Sequence, residues 1–519
     1  MSREAPAEAF NGLFLGDSAG REAHAAALDR AREAVDSVHA DREGPYSGAS
    51  VGDLRAALPD PLPETGTGLA AAVEDLRETV LSDSAVVADP DCAAHLQCPP
   101  LVPALAAEAA LAATNQSMDS WDQAPAATVA EQRLVGTLCD RFGYPEGADG
   151  VFTSGATESN LQGLLLARDR FVAETFDRDP QREGLSPAAG GMRVLCSERA
   201  HFTAEQAAAH LGLGEDSVVS VATDDAGRMR PAALDRRIEA LADRGLYPFA
   251  LVGTAGTTDL GAVDPLDALA DRAAAHDLWF HVDAAYGGAL AVSDAHRDRL
   301  TGIERADSLA VDFHKLLFQP LACGAFLLRD GAEFERIART AAYLNPEGDD
   351  APDLVRKSLR TSRRFDALKP YLTFRALGRE RLAEMIDATL ATASAAGERV
   401  AAAPDLDLAA EPSLTTVVFR YLPGDDHPDL PRDLWVDRCN RAIRERLLDD
   451  GEAVVARTEL DGRTHLKLTL LDPRTDAADV EALLDRIRER GAATDPGDVT
   501  AEADAGDDRS EGTEGVIDR

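Results

Sequence analysis

A lysine that follows an apolar segment is the first residue whose position suggests chemistry. Lys315 ends the stretch DSLAVDFHK, and the mostly apolar stretch LLFQPLACGAFLL follows it. A lone lysine is usually a solvated surface residue, but apolar neighbours on both sides make that environment less comfortable here. A lysine whose pKa is lowered acts as an amine nucleophile and forms Schiff bases with carbonyl compounds. Lys315 is therefore a candidate site of covalent attachment.

An aspartate occupies a comparable position in WFHVDAAYGG. Asp283 ends an apolar run and small residues follow it, and ligands of α/β sheets bind beyond the carboxyl ends of the strands. A buried carboxylate needs a partner, which the protonated ring nitrogen of a cofactor would provide. The alternative is that Asp283 caps a helix.

The segment TSGATESN, at residues 153–160, precedes a helical pattern of apolar residues. Small residues at the start of a helix expose backbone N–H groups, and the helix dipole favours an anion there. Ala156 and Thr157 would lie at this point, and Thr157 adds a hydroxyl group. The segment therefore suits a phosphate, although alone it is a weak signal, because an ordinary loop and helix cap more often explains such a pattern.

These three segments need a sheet to bring them together, and residues 91 to about 375 predict one. Short apolar runs alternate with helical stretches, a pattern typical of α/β architecture. The runs show little alternation of their own, as in strands that are buried on both faces. The predicted strands are residues 193–196, 218–221, 249–254, 279–282, 308–311 and 324–328.

The chain is predicted to have four parts. These are an N-terminal helical segment at 1–90, a large α/β domain at 91–375, a smaller α+β domain at 376–494, and a tail at 495–519. In the smaller domain we expect strands at 414–421, 453–457 and 465–470, with a hairpin turn at Asp461-Gly462. The tail is acidic and lacks aromatic residues, which predicts disorder.

Together, the phosphate-binding turn, the aspartate and the lysine are far more specific than any one of them. With these motifs in this order, the chain resembles the group II PLP-dependent amino-acid decarboxylases over about residues 70–490. The stretches AHLQCPPLVPALAAE, NQSMDSWDQAPAAT, DFHKLLFQP and RRFDALKPYLTFRALG are most similar to the branch that acts on L-2,4-diaminobutyrate. The resemblance implies a large domain like that of aspartate aminotransferase, with a mostly parallel seven-stranded sheet, and a smaller C-terminal α+β domain.

The resemblance also implies roles for individual residues. Lys315 would carry pyridoxal 5′-phosphate (PLP) as a Schiff base, Asp283 would pair with the pyridine nitrogen, and His201 in SERAHFT would stack on the ring. The other implied cofactor contacts are Ala156, Thr157 and His314 at the phosphate, Thr254 near the cofactor, and Ala285 under the ring. The family further implies a homodimer in which the N-terminal segment wraps the partner and the active sites lie at the subunit interface.

Two positions depart from the family pattern. Related aromatic-amino-acid decarboxylases carry a tyrosine in a mobile loop that is thought to protonate the substrate carbon, and the equivalent position here is near Leu354. Residues 344–363 contain no tyrosine, and Tyr343, just before them, does not match the position. Gln97 stands where near relatives often have a histidine. In the aldehyde synthases of the family, loss of the loop tyrosine accompanies oxidative deamination.

The leading prediction is therefore PLP-dependent decarboxylation of a small L-amino acid, with L-2,4-diaminobutyrate giving 1,3-diaminopropane as the first choice. A decarboxylase for aspartate, glutamate or an aromatic amino acid, or an aldehyde synthase on the same scaffold, remains an alternative. A non-catalytic scaffold is disfavoured by the complete set of Lys315, Asp283 and His201. An aminotransferase or a cysteine desulfurase is disfavoured by the DFHK motif.

The composition narrows the partners and the location. The chain has 53 Lys plus Arg against 92 Asp plus Glu, a net charge of −39, so it should repel nucleic-acid phosphates. The sequence has no apolar run long enough for a transmembrane helix, and its N-terminus lacks the features of a signal peptide. Cysteines and histidines at metal-ligand spacing are also absent. We therefore expect a cytoplasmic enzyme without nucleic-acid, membrane or metal partners.

The acidic excess runs through the whole chain, for example in Asp224-Asp225 and Asp425-Asp426. Self-repulsion of this size would destabilise a compact protein at low ionic strength, whereas salt screens it. The composition therefore suggests a halophilic protein, adapted to a high-salt cytoplasm.

We expect the melting temperature of the protein to rise with KCl up to molar concentrations. At 1 M salt the Debye length falls to about 3 Å, so repulsion among surface carboxylates is largely screened. Thermal melts over a KCl series measure the effect. A melting temperature that stays flat or falls with KCl would reject the halophilic interpretation.

Overall fold

The computed structural model describes residues 10, 12–342, 344–345 and 351–494. The tail predicted at 495–519 lies outside this part of the chain, and so does Tyr343. The helices are α1 (Ser18–Asp41), α2 (Val51–Ala57), α3 (Leu69–Leu76), α4 (Val102–Thr114), α5 (Pro125–Phe142), α6 (Ala156–Phe176), α7 (Pro180–Glu183), α8 (Thr203–His210), α9 (Pro231–Asp243), α10 (Leu266–Ala275), α11 (Leu368–Ala402), α12 (Arg432–Asp449) and α13 (Ala477–Ala492).

The strands form two separate sheets. They are β1 (Asp149–Thr153), β2 (Met192–Ser197), β3 (Val218–Val221), β4 (Tyr247–Thr254), β5 (Trp279–Asp283), β6 (Ser308–Asp312), β7 (Gly324–Leu328), β8 (Leu406–Leu408), β9 (Thr416–Tyr421), β10 (Ala456–Leu460) and β11 (Arg463–Thr469). The first sheet has the order β1-β7-β6-β5-β4-β2-β3, and the second has the order β10-β11-β9-β8.

The larger sheet is mostly parallel. Strands β2 to β6 pair in parallel, whereas β7 runs antiparallel to both of its neighbours, β6 and β1. Every residue of β5, β6 and β7 is buried, as expected for strands that are covered on both faces. The carboxyl ends of β1, β4, β5 and β6 consequently lie along one edge of the sheet, where α6 also begins.

All six strands predicted from short apolar runs are confirmed, within two residues at each end. Strand β1 was not predicted, because it begins with Asp149 and Gly150, residue types that are depleted in strands. The structure explains the glycine, since a Cβ atom at Gly150 would lie 2.5 Å from the backbone oxygen of Phe326 on β7. Gly150 therefore permits the close pairing of this edge strand.

The second sheet is antiparallel and packs against α12 and α13. The hairpin predicted at Asp461-Gly462 is confirmed, with positive φ angles of 52° and 72° that suit this turn. The strand predicted at 453–457 lies further along the chain, at β10. The fold is thus α/β with a mostly parallel seven-stranded sheet and a smaller α+β part, as predicted.

Two kinds of feature are absent from the residues that the structure describes. None of their helices is both long and apolar enough to cross a membrane. Within the same residues, no group of three or more His, Cys, Asp or Glu side chains is arranged to hold a metal ion.

A buried ion pair links three segments of the chain beside strand β1. Arg363 and Glu131 form two hydrogen bonds of 2.8 Å, and both side chains are 1% exposed. Glu131, on α5, also accepts a hydrogen bond of 3.1 Å from the backbone of Phe152 on β1. The pair therefore joins α5, β1 and the segment that leads into α11.

We expect Arg363→Met to lower the free energy of unfolding by about 3–5 kcal/mol, because it leaves the Glu131 carboxylate buried without its charged partner. Denaturant unfolding measures this loss. The matched control is Arg381→Met, which breaks the exposed pair with Glu384 and should cost less than about 1 kcal/mol. Equal losses in the two variants would contradict the structural importance of the buried pair.

Candidate functional site

A cavity of about 280 Å³ opens at the carboxyl edge of the seven-stranded sheet. The structure brings all eight residues of the predicted site to its wall: Ala156, Thr157, His201, Thr254, Asp283, Ala285, His314 and Lys315. They come from the ends of different strands and from the start of α6. Such convergence at a strand edge is how α/β sheets build ligand sites.

Lys315 follows β6 and points into this cavity, where its side chain is 19% exposed. The sequence contains only three other lysines. Lys357 pairs with Asp149, Lys369 pairs with acidic side chains in the interior, and Lys467 pairs with an aspartate on the loop after β4. None of these three lines the cavity, so Lys315 is the lysine available there for covalent chemistry.

Asp312, at the end of β6, is the charged partner of Lys315. Its Oδ2 lies 3.1 Å from Lys315 Nζ and 3.5 Å from His314 Nε2. Its Oδ1 accepts a hydrogen bond of 2.8 Å from the backbone N–H of Ala156. Asp312 thus joins the lysine to the start of α6, a connection that the sequence did not predict.

The start of α6 and His314 form an end of the cavity that is suited to an anion. Ala156 and Thr157 are the first two residues of the helix, where the backbone N–H groups and the helix dipole favour a negative group. His314 Nδ1 donates to the backbone oxygen of Cys323 at 2.8 Å. A Cβ atom at Gly155 would lie 3.1 Å from the ring of His314. The glycine therefore lets the ring approach the turn closely.

Asp283 ends β5 and is only 9% exposed. Its Oδ2 accepts a hydrogen bond of 2.8 Å from Asn160 Nδ2, and its Oδ1 accepts one of 3.1 Å from the backbone of Ala285. A buried carboxylate that accepts hydrogen bonds only from neutral groups still needs a positively charged partner. The protonated ring nitrogen of a cofactor would supply that charge.

His201 lies on the cavity wall just before α8. Its Nδ1 accepts a hydrogen bond from the backbone N–H of Thr203 at 3.4 Å and lies 3.2 Å from that residue's hydroxyl oxygen. The neutral ring therefore carries its proton on Nε2. Burial lowers the pKa of His201 below its ordinary value of 6.5, although the nearby Asp283 opposes this effect.

Two further observations indicate that PLP fits this site. The hydroxyl group of Thr254 is buried and has no hydrogen-bond partner among the described residues, which leaves it free for a ligand. Ala285 packs with Ala156 and Ala310 in a small buried cluster, so that only methyl groups cover this part of the wall. An anion-binding helix start, a buried carboxylate, a free hydroxyl and a lysine together match the parts of PLP.

Sequence reasoning missed several residues of the cavity wall, among them Asn160, Asp312 and Tyr286. Asn160 follows Ala156 by one helical turn, so helical spacing could have placed it on the same face. Asp312 precedes Lys315 by three residues inside the DFHK motif.

The structure also places the two positions that depart from the family pattern. Leu354 is 2% exposed in a separate small cluster with Met118. Gln97 is exposed, and its neighbour Leu96 belongs to the cavity wall.

Known proteins are similar to this chain in both sequence and structure. The model of the pyridoxal-dependent decarboxylase conserved domain matches residues 52–422. The L-2,4-diaminobutyrate decarboxylase of Rhizobium meliloti is 46% identical over 478 residues, which cover 91% of this chain and 92% of the relative.

Solved structures are similar over nearly the whole chain. One is the glutamate decarboxylase domain of a diaminobutyrate-pyruvate transaminase and L-2,4-diaminobutyrate decarboxylase from Vibrio parahaemolyticus, with a TM-score of 0.85, 40% identity, and coverage of 94% of this chain and 99% of that chain. Another is Oryza sativa TDC with PLP and tryptamine, with a TM-score of 0.83, 25% identity, and coverage of 92% and 98%. The chain therefore belongs to the pyridoxal-dependent decarboxylase family, and it is a PLP-dependent amino-acid decarboxylase.

Proposed function

We propose that the enzyme decarboxylates L-2,4-diaminobutyrate to 1,3-diaminopropane. The observation that carries the proposed site is the single cavity in which Lys315, Asp283 and His201 meet. The choice of substrate rests on the Rhizobium meliloti relative, an L-2,4-diaminobutyrate decarboxylase that is 46% identical over 91% of this chain. Aspartate, glutamate and aromatic amino acids are the alternative substrates.

We assign a chemical role to each of the eight predicted residues of the cavity wall. Lys315 would bind PLP covalently, the start of α6 with Thr157 and His314 would hold the phosphate, and Asp283 would pair with the ring nitrogen. His201 and Ala285 would contact the ring, and Thr254 would offer its hydroxyl group to the cofactor. When bound, PLP withdraws the electrons that the departing carboxyl group leaves on the α-carbon.

The chain's own residues orient the reactants and control protons. Asp283 would hold a proton on the pyridine nitrogen, because its buried negative charge favours the protonated ring. Asp312 would keep the start of α6 and His314 in place around the phosphate through its contacts with both. Fixing the reacting groups in this way lowers the entropic part of the barrier.

The proton that reaches the α-carbon requires a source other than a loop tyrosine. Leu354, near the expected tyrosine position, is buried and does not line the cavity. We assign this role to His201 in its protonated form, because the contacts of Nδ1 with Thr203 leave Nε2–H as the proton that is free to be donated.

We also propose that the enzyme is a homodimer in which residues 1–90 wrap the partner. Apolar side chains are exposed in this segment, including Leu13 at 71%, Phe14 at 73% and Leu62 at 86%. Beside the cavity, Phe202 is 61% exposed and Leu321 is 57% exposed. Exposed apolar groups of this kind mark interaction surfaces, and a second copy over both regions would also close the active site.

The proposed setting is a cytoplasm of high salt concentration. The net charge of −39 supports this proposal, because such a charge destabilises a compact protein unless salt screens it.

An assay of amine products tests the proposed reaction. Purified enzyme with PLP and molar KCl is given diaminobutyrate, aspartate, glutamate, ornithine and tyrosine in separate reactions. We expect CO₂ and 1,3-diaminopropane, with the highest kcat/KM for diaminobutyrate. A higher value for another amino acid would refute the substrate, whereas aldehyde, ammonia and peroxide in place of amine would indicate an aldehyde synthase.

The control for this assay is a pair of lysine variants. Lys315→Ala should lose nearly all activity together with the visible absorbance of the bound cofactor. Lys357→Ala removes the same charge outside the cavity and should retain both. An active Lys315→Ala enzyme of normal colour would show that another lysine carries the cofactor.

We expect His201→Phe to bind PLP but to lower kcat by at least about 10²-fold, the usual minimum contribution of a general acid, or to release more aldehyde than the wild type. Phenylalanine keeps an aromatic face for the ring but cannot supply a proton. Burial lowers the pKa of His201, so its protonated fraction falls as the pH rises. The wild-type kcat should therefore increase as the pH falls below about 6.5, and the variant should lack this limb.

The matched control is His210→Phe, since His210 is exposed at the end of α8. Mass spectrometry of the products and a pH profile of kcat are measured for both variants. If His201→Phe keeps the wild-type rate and the wild-type ratio of amine to aldehyde, His201 only packs against the ring.

A further inference from the structure

A chain of buried hydrogen bonds runs through the sheet behind Asp283. Asn160 Nδ2 donates to Asp283 Oδ2, and Asn160 Oδ1 lies 2.8 Å from His281 Nε2. His281 Nδ1 lies 2.8 Å from Ser308 Oγ, which also accepts a hydrogen bond of 2.9 Å from Trp279 Nε1. We call this set of four residues, Asn160, His281, Ser308 and Trp279, the Asp283 relay.

The chemistry of the side chains fixes the direction of each hydrogen bond. A carboxylate only accepts, so Asn160 must turn its amide nitrogen toward Asp283 and its oxygen toward His281. An amide oxygen also only accepts, so His281 must carry a proton on Nε2. With Nε2 protonated, the neutral ring accepts at Nδ1, and the hydroxyl of Ser308 donates to it. Every donor in the relay therefore points toward Asp283.

The relay is sealed from solvent. Asn160 is 4% exposed, Trp279 is 2% exposed, and His281 and Ser308 are 0% exposed. Complete burial lowers the pKa of His281 to about 4, which keeps the ring neutral at physiological pH, as the donor directions require.

Helix α6 covers the relay and has a glycine at the position that faces the ring of His281. A Cβ atom at Gly163 on α6 would lie 2.6 Å from His281 Nδ1 and 2.8 Å from its Cε1. Any other residue at this position would collide with the ring. The absence of a side chain at Gly163 thus gives His281 the space in which it reaches Asn160.

Asn160 also connects the relay to the opposite side of the cavity. The same amide nitrogen donates to the hydroxyl oxygen of Thr203 at 2.9 Å, and that hydroxyl lies 3.2 Å from His201 Nδ1. Since the hydroxyl of Thr203 accepts from Asn160, its own proton is free to donate to His201. One amide group therefore holds both Asp283 and His201.

We propose that Asn160, His281 and Ser308 are positioning residues that hold the Asp283 carboxylate correctly oriented for the cofactor nitrogen. The inference rests on the role proposed above for Asp283. Hydrogen bonds to a charged group are stronger than those between neutral groups, and aligned hydrogen bonds in a medium of low dielectric constant strengthen one another. The relay thereby supplies a preorganised site for a protonated ring.

The first test compares two identical substitutions. Asn160→Leu removes the amide that contacts Asp283. Asn440→Leu removes a buried amide on α12 that hydrogen-bonds the backbone of Tyr421 on β9 and of Val436 on α12, away from the cavity. The measurements are the PLP dissociation constant of the apoenzyme by fluorescence titration, the melting temperature, and kcat and KM.

Both variants should melt at lower temperature. We expect only Asn160→Leu to bind PLP at least about tenfold more weakly and to lose at least about tenfold in kcat, as for loss of a hydrogen bond to a charged group. A PLP dissociation constant and a kcat within about threefold of those of the wild type would overturn the proposal.

A second test separates hydrogen bonding from packing and does not depend on the folding of Asn160→Leu. His281→Gln retains an N–H donor for Asn160, whereas His281→Phe fills the space left by Gly163 without one. We expect the glutamine variant to bind PLP within about threefold of the wild type and the phenylalanine variant at least about tenfold more weakly. Equal dissociation constants for the two variants would overturn the proposal.

Ser308→Ala and Asp283→Asn complete the series. Ser308→Ala makes a small change at the far side of His281 and should weaken PLP binding at least about threefold; an unchanged constant would overturn the proposal. Asp283→Asn tests the role on which the relay depends. If it binds PLP and turns over normally, the assignment of Asp283 itself is wrong. If it is impaired while Asn160→Leu is normal, only the relay is refuted.

Discussion

A negative charge held inside the protein is the constraint on which the site depends. Asp283 is nearly buried at the end of β5, and an uncompensated carboxylate there would be costly. The fold supplies two hydrogen-bond donors to this carboxylate, the side-chain amide of Asn160 and the backbone N–H of Ala285. It leaves the cavity side open for a positive group. Because this carboxylate needs a hydrogen-bond donor inside the protein, α6 carries the amide of Asn160 on the face that contacts the sheet.

The same helix meets two needs that oppose each other electrostatically. Its first residues face the anion-binding end of the cavity, and its next turn supports the acidic group that faces the ring. In the proposed binding mode these two needs would match the two ends of PLP, because its phosphate is negative and its protonated ring nitrogen is positive. The rigid backbone of α6 therefore fixes the spacing of its own two contributions, because Ala156 and Asn160 are one turn apart.

Much of this arrangement could be predicted from the sequence. Buried strands appear as short apolar runs, which is why β5 and β6, and with them Asp283 and Lys315, were placed at the correct strand ends. The smaller features depended on tertiary contacts. Strand β1 contains Gly150, a residue type that is depleted in strands, and only the pairing of β1 with β7 explains it. A Cβ atom at Gly150 would collide with the backbone oxygen of Phe326. Asn160 and His281 are distant in sequence, and only the packing of α6 on β5 makes them partners.

The scarcity of lysine has a practical consequence for anyone who labels this protein. The sequence contains four lysines, and three of them hold their ammonium groups in ion pairs outside the cavity. Basic character elsewhere is carried by arginine, whose guanidinium stays protonated and does not react as an amine. Reagents directed at primary amines therefore have few competing targets on the surface. Before PLP is bound, when Lys315 would carry a free amine, that residue is one of only four lysine targets for an amine-selective probe.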